Sequence, residues 1–273
     1  MYVFITGPGV SGKSFQSYPE ATYFYNARYR FVYAPVPKSA CSSLKVILYR
    51  LQLLEQSGLP VFNKRDFGGR SFHMFMDFSY TLSRKTAVEA CDILRSPDIF
   101  KFTFVRHPLD RIASAYLNKF VAERYNSEQW EHTMPVLKNF FGEKVNPFSD
   151  AITFEQFVSY LTRVPDDALD KHWISQHCFL APDIDFHIGR VEDFDVDFRK
   201  FAKRLGLPVE AIHANQTGPS RVELREEPYW NMLPDQLRKL PVLPPNRMMY
   251  SPELEQAIRR RYVVDIDRFG YSD

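Results

Sequence analysis

Phe31-Val-Tyr-Ala-Pro-Val-Pro-Lys38-Ser-Ala-Cys-Ser-Ser-Leu44-Lys-Val-Ile-Leu-Tyr-Arg-Leu-Gln-Leu-Leu54 changes its periodicity partway along. The first four residues are an apolar run of the kind that fills a buried strand. A turn bracketed by Pro35 and Pro37 follows and carries Lys38. Leu44, Ile47, Leu48, Leu51 and Leu54 then recur at i, i+3, i+4, i+7 and i+10, which predicts an amphipathic helix that Gly58 stops. A helix N-terminus at the end of a strand presents main-chain amides and the positive end of a dipole. With the hydroxyls of Ser39, Ser42 and Ser43 and the charge of Lys38, it suits an anion.

The same order of elements recurs further on. Phe100 to Val105 predicts a second buried strand, and Phe104-Val-Arg106-His-Pro-Leu-Asp-Arg111-Ile-Ala-Ser114-Ala-Tyr116 continues it through a loop into a helix. An arginine at the strand end and a hydroxyl eight residues on can converge on one phosphate. Arg106 would grip it bidentately and Ser114 would donate. A third buried strand is predicted at Phe186 to Val191. Phe194, Phe198, Phe201 and Leu205 stripe a helix closed by Gly206 and Pro208. Leu254, Ile258, Tyr262, Ile266 and Phe269 predict one closing helix, after the breaker-rich Pro241 to Pro245 segment. Strands alternating with helices imply an α/β fold of three layers, P-loop-like, with a central, mostly parallel sheet flanked by helices.

Gly7-Pro-Gly-Val-Ser-Gly12-Lys13-Ser14 is a competing phosphate loop that satisfies the pattern of nucleotide triphosphatases, with Tyr2 to Thr6 as its strand. Such a loop must open a helix, yet Phe15 to Tyr25 contains Pro19 and no apolar stripe. The motif therefore supports a kinase or NTPase only as an alternative.

Tyr33-Ala-Pro-Val-Pro-Lys38-Ser-Ala-Cys-Ser-Ser43-Leu44 resembles the 5′-phosphosulfate loop of the sulfotransferases that use 3′-phosphoadenosine 5′-phosphosulfate (PAPS). The segment from Phe104 to Tyr116 resembles their 3′-phosphate site, and the carbohydrate branch, Golgi-type and bacterial family 2, fits best. Ile188-Gly-Arg190-Val-Glu192-Asp193-Phe194 and Tyr262 to Tyr271 are similar to later, less specific family segments, and the terminal one carries no chemistry. The resemblance implies transfer of a sulfuryl group from PAPS to a hydroxyl, and the branch implies that of a carbohydrate. Lys38, Ser39, Ala40, Cys41, Ser42, Ser43, Leu44, Arg106 and Ser114 would bind the cofactor. Lys38 would neutralise the leaving oxygen. His107 stands where many relatives carry an acid, and it receives no role.

The acceptor hydroxyl needs a base. His73, in Arg70-Ser-Phe-His73-Met-Phe-Met-Asp77, lies between the two signatures, where enzymes similar to uronyl 2-O-sulfotransferases place theirs; a core histidine packed by Phe72 and Phe75 is the bland alternative. His172 and His177, in Lys171-His-Trp-Ile-Ser-Gln176-His-Cys, resemble a His-Trp motif near the acceptor cleft of this branch and are the rival bases. Lys64, Arg65 and Arg70 can draw in an acidic sugar or serve only as a solvated loop. No histidine, cysteine or carboxylate group shows metal-ligand spacing, His172 and His177 being five apart, so no metal is expected.

The 273 residues, 45% apolar and 25% charged, suffice for one large core. They are read as an N-terminal extension, 1–27, and a single sulfotransferase domain, 28–273. A net charge of +2 demands neither nucleic acid nor membrane as a partner. Three scattered cysteines form no disulfide framework, and no signal or membrane span is written at the N-terminus, so a cytoplasmic location is expected. A non-catalytic nucleotide- or sugar-binding module on the same fold is the remaining alternative.

Overall fold

The computed structural model describes residues 22–56, 58, 59, 62, 70–209 and 227–271. The Gly7 to Ser14 motif, its strand, and the loop bearing Lys64 and Arg65 lie outside the described residues. Along the chain run β1 (Phe24–Asn26), β2 (Phe31–Ala34), α1 (Cys41–Glu55), α2 (Arg70–Ser79), α3 (Ala87–Arg95), β3 (Phe100–Val105), α4 (Pro108–Tyr116), α5 (Trp130–Phe141), α6 (Phe154–Arg163), β4 (His187–Arg190), α7 (Phe194–Leu205), α8 (Pro234–Arg238), α9 (Pro252–Arg261) and α10 (Val263–Arg268). Their contacts fall into two compact units, residues 22–106 with 176–209 and residues 107–175 with 227–271.

The first unit carries the sheet, in the order β1-β2-β3-β4. β1 runs antiparallel to β2, and the other two pairings are parallel, so the expected α/β fold with a mostly parallel sheet flanked by helices is present. Every residue of β2 is buried and β3 is buried at five of six positions, as strands covered on both faces require. Phe31, Tyr33, Phe102 and Phe104 pack with Leu44, Ile47, Leu48 and Leu51 of α1 and with Phe194, Phe198 and Phe201 of α7. The stripe read from the sequence is thus the buried face of α1 from Leu44 to Leu51, while its last member, Leu54, is exposed. Gly206 closes α7 in the left-handed conformation at φ 63°, where the missing Cβ removes the steric penalty.

The second unit is helical. Ile112 and Tyr116 of α4, Phe154 and Phe157 of α6, Trp173 and Ile258 of α9 share one core. α4 widens beyond Tyr116 into a π-helical stretch, Leu117–Ala122, where the Glu123 N–H donates to the Asn118 carbonyl at 2.8 Å.

Two expectations are corrected, and one strand was not foreseen. The run Phe186 to Val191 yields a strand only over His187–Arg190, and it is an edge strand with His187 exposed, because β3 covers one side alone. The antiparallel β1 went unread, since three residues are too few to show a period. The closing helix is two helices. Tyr262 leaves helical geometry at φ −111°, ψ 28°, and its buried hydroxyl donates to the Trp173 carbonyl at 2.5 Å.

Candidate functional site

The register of β2 and β3 sets where the first loop begins. Ala34 pairs with Thr103, and the buried Thr103 hydroxyl donates to the Ala34 carbonyl at 2.7 Å, anchoring the last residue of the strand. The chain then turns, with the Ser39 N–H on the Val36 carbonyl at 3.1 Å. Lys38 and Ala40 both take positive φ, 67° and 58°, whereas Ser39 between them does not. Left-handed backbone is costly for residues with a Cβ, about 1 to 2 kcal/mol each, and persists where the surroundings enforce it. Residues alternating in hand turn successive amides toward one concave side, a geometry that holds anions.

α1 begins directly after this alternation. Its N-cap is Ala40, with no side-chain cap, and the first intrahelical bond runs from the Leu44 N–H to the Ala40 carbonyl at 3.0 Å. The amides of Cys41, Ser42 and Ser43 precede that bond and lie at the positive end of the dipole. No acidic residue occupies the first turn. None of the nearby serines caps the helix: Ser42 and Ser43 lie inside the turn, and Ser39 is fully buried with its hydroxyl donated elsewhere.

The recipient is Gln176. Its Oε1 accepts from the Ser39 Oγ at 3.1 Å and from the Arg106 N–H at 2.9 Å, while its Nε2 donates to the Arg106 carbonyl at 2.8 Å. Only this orientation of the amide satisfies both main-chain groups, because a flipped one would set oxygen against oxygen. The side chain has no exposed surface. Lys38's loop and Arg106 are therefore brought together at the carboxyl ends of two adjacent parallel strands, the usual ligand edge of an open α/β sheet. Sequence reasoning missed Gln176, since nothing in its local pattern distinguishes it from a polar loop residue.

Ser114 belongs to the second unit, in α4, and is half-buried. His107 is the N-cap of that helix: its Nδ1 accepts from the Leu109 N–H at 3.2 Å, ahead of Pro108 at the first helical position. An acid at this place would cap equally well, which gives the histidine a structural role the sequence did not show. Arg111, 1% exposed, donates to the carbonyls of Ile174 at 2.6 Å and Lys171 at 3.3 Å and so fixes the segment bearing His172.

The candidate bases stand in different surroundings. His73 is half-buried in α2 of the first unit, its ring beside Phe72. His177, also in the first unit, places Nε2 at 3.6 Å from the Cys178 sulfur. His172 lies in the second unit, with Nδ1 at 2.7 Å from Asp170 Oδ1. The other oxygen of Asp170 meets Nδ1 of His132 at 2.8 Å, so one carboxylate orients two imidazoles. Burial drives the His172 pKa well below 6.5; the Asp170 hydrogen bond opposes the shift and Lys119 adds to it. Burial also works to raise Asp170, but the two imidazole hydrogen bonds prevail and hold it below the usual carboxylate range. The ligand atoms of His132, Asp170 and His172 lie within 4.8 Å of one another, a metal-compatible trio that sequence spacing did not reveal.

An α/β sheet whose adjacent parallel strands lead into a helix N-terminus and an arginine has an arrangement common among proteins that handle phosphorylated ligands. The family model described as the sulfotransferase family matches residues 21–272, and the chain belongs to that family. It is similar to carbohydrate sulfotransferase 14 of Mus musculus, 27% identical over 248 residues that cover 89% of this chain and 58% of the relative. The Homo sapiens counterpart is 25% identical over 254 residues, with the same coverage of 89% and 58%. Carbohydrate sulfotransferase 8 of Homo sapiens is 26% identical over 202 residues, 68% of this chain and 43% of the relative. The chain thus spans 58% of the length of the first two relatives and less than half of the third. No solved structure matches. Among the described residues, no helix is long and apolar enough to cross a membrane.

Proposed function

We propose that this chain transfers the sulfuryl group of PAPS to a hydroxyl of a carbohydrate. One observation carries the reading: two left-handed residues, Lys38 and Ala40, shape a loop at a helix N-terminus that Gln176 ties to Arg106. Two cationic side chains on that pair of strand ends suit a donor with anions at both the 5′ and 3′ positions of its ribose. The carbohydrate acceptor is supported by the relatives named carbohydrate sulfotransferase.

In this reading the 35–44 loop and Lys38 hold the phosphosulfate, and Arg106 with Ser114 holds the 3′-phosphate. As the acceptor oxygen bonds to sulfur, the bond from sulfur to the phosphate oxygen breaks. Lys38 offsets the charge that gathers on the departing oxygen. The acceptor's proton passes to a base, leaving adenosine 3′,5′-bisphosphate and a sulfated hydroxyl. His73 is the proposed base. His172 is a second reading favoured by its contact with Asp170, the arrangement of a base with an orienting carboxylate. The proposal includes no bound metal, one catalytic unit over 28–273, and a cytoplasmic setting.

The test is transfer from PAPS to a panel of glycans. Lys38→Ala is expected to lower kcat on the order of a hundred-fold or more, and Arg106→Ala to weaken adenosine 3′,5′-bisphosphate binding. Wild-type behaviour of both would refute the reading. Comparing His73→Ala with His172→Ala then assigns the base, since only its removal abolishes the rise of kcat with pH.

A further inference from the structure

We infer that Gln176 is a positioning residue that holds the two halves of the donor site in register, fixing the phosphosulfate loop to the backbone of the arginine that grips the other end of the donor. The inference rests on the proposed donor reading and names a residue that reading does not require.

Three hydrogen bonds carry it. The paired contact with the Arg106 N–H and carbonyl, at 2.9 and 2.8 Å, uses both ends of one side-chain amide, as a neighbouring strand would. Beyond Val105 the ladder with β4 has no further strand residue, since Val105 pairs with Arg190, the last of β4. Gln176 extends the ordering of β3 by one residue, to the position from which the guanidinium departs. Its third bond, to the Ser39 hydroxyl at 3.1 Å, reaches the residue lodged between the left-handed Lys38 and Ala40. Ser39 is fully buried, and its N–H is already engaged by Val36, so the hydroxyl adds a second, long-range tie to the loop.

The bracket itself is well placed to be rigid. Gln176 opens the short helix Gln176–Phe179, and the buried Tyr23 hydroxyl secures that segment, donating to the Phe179 carbonyl at 2.6 Å and accepting from the Ala181 N–H at 3.0 Å. The spacing between the two anion-holding groups is then set by a side chain that touches neither anion. A donor whose two charged ends are separated by a rigid nucleoside gains from such preorganisation, because the loop and the arginine need not be ordered on binding. The consequence is specific: weakening the bracket degrades donor binding and leaves acceptor binding alone.

The experiment compares Gln176→Ala and Ser39→Ala with the wild type in thermal unfolding, in calorimetric titration with adenosine 3′,5′-bisphosphate, and in separate donor and acceptor saturation kinetics. Expected is a rise of about ten-fold in both the bisphosphate Kd and the donor KM for Gln176→Ala, a smaller rise for Ser39→Ala, and an unchanged acceptor KM. The double variant is expected to be no worse than Gln176→Ala alone, because both changes cut one link. If Gln176→Ala fails to fold, Ser39→Ala, which removes a single oxygen, decides the matter by the same readouts. Wild-type bisphosphate affinity in the folded variants, while Lys38→Ala or Arg106→Ala weakens it, overturns the positioning role and leaves the donor reading standing. Absence of bisphosphate binding by the wild type overturns both.

Discussion

The carboxylate of Asp170 and the imidazole of His172 meet at 2.7 Å, two residues apart in sequence, with the Asp170 Oδ1 also accepting from the His172 N–H at 2.9 Å. The short contact fixes the ring through Nδ1, so Nε2 is the nitrogen left to exchange protons. It also makes this part of the protein sensitive to acid.

Stability is expected to fall as pH is lowered through the region below 6.5. Burial holds the folded His172 neutral at pH values where the unfolded chain, with its ordinary value of 6.5, is already protonated. In that window the unfolded state binds more protons, so stability rises with pH, by no more than roughly 1.4 kcal/mol per pH unit for this group. Asp170, with its depressed pKa, adds stability that is present above its ordinary value of 3.8 and lost as pH falls further. His132 and Lys119 face the same ring and shape the profile. Thermal unfolding between pH 5 and 8 checks this. His172→Gln should flatten the slope, and an identical slope in the variant would show that another group governs it.

Ala40→Gly is expected to raise stability while lowering donor affinity. Glycine takes the φ of 58° without the Cβ penalty, which outweighs the added freedom of the unfolded chain and leaves a gain of about 0.5 to 1 kcal/mol. The same freedom loosens the loop before the donor arrives. Denaturant unfolding and bisphosphate titration on one sample would show the two effects moving in opposite directions; a gain in both would mean the strained loop is not preorganised for binding.

Gly189→Ala is expected to destabilise the sheet. Gly189 of β4 lies in register with Phe104 of β3, and an added Cβ would come to 2.6 Å from the Phe104 ring. That ring is wedged against Phe194 and Phe201, so it has little room to yield. A cost of about 1 to 3 kcal/mol is expected from overpacking. Urea midpoints measure it, and Gly206→Ala is a useful comparison because a Cβ there meets nothing within 4 Å and strains the backbone alone.

Much of the site was legible because it is local. A change from strand to helix periodicity within one stretch located β2, the loop and α1, and the repeat of that order located β3, Arg106 and α4. Glycine and proline marked the end of α7. Periodicity failed where burial was one-sided or brief, at β1 and β4, and it ran the stripe of Leu254 to Phe269 straight through Tyr262, where a hydroxyl buried against Trp173 breaks the helix.

The phosphate loop was read against a better-spelled rival at Gly7 to Ser14, and local context chose between them. The sequence by itself therefore determined the α/β class and the family, and it placed Lys38 and Arg106 next to the ends of predicted strands, because chain order alone puts them there. Only the tertiary structure decided what holds them there. Gln176 reaches Ser39 across 137 residues and Arg106 across 70, Arg111 reaches Ile174 across 63, and His132 reaches Asp170 across 38. Such contacts carry no periodic signature, because a single hydrogen bond between distant segments depends on where the whole chain places two atoms and not on the residues beside them.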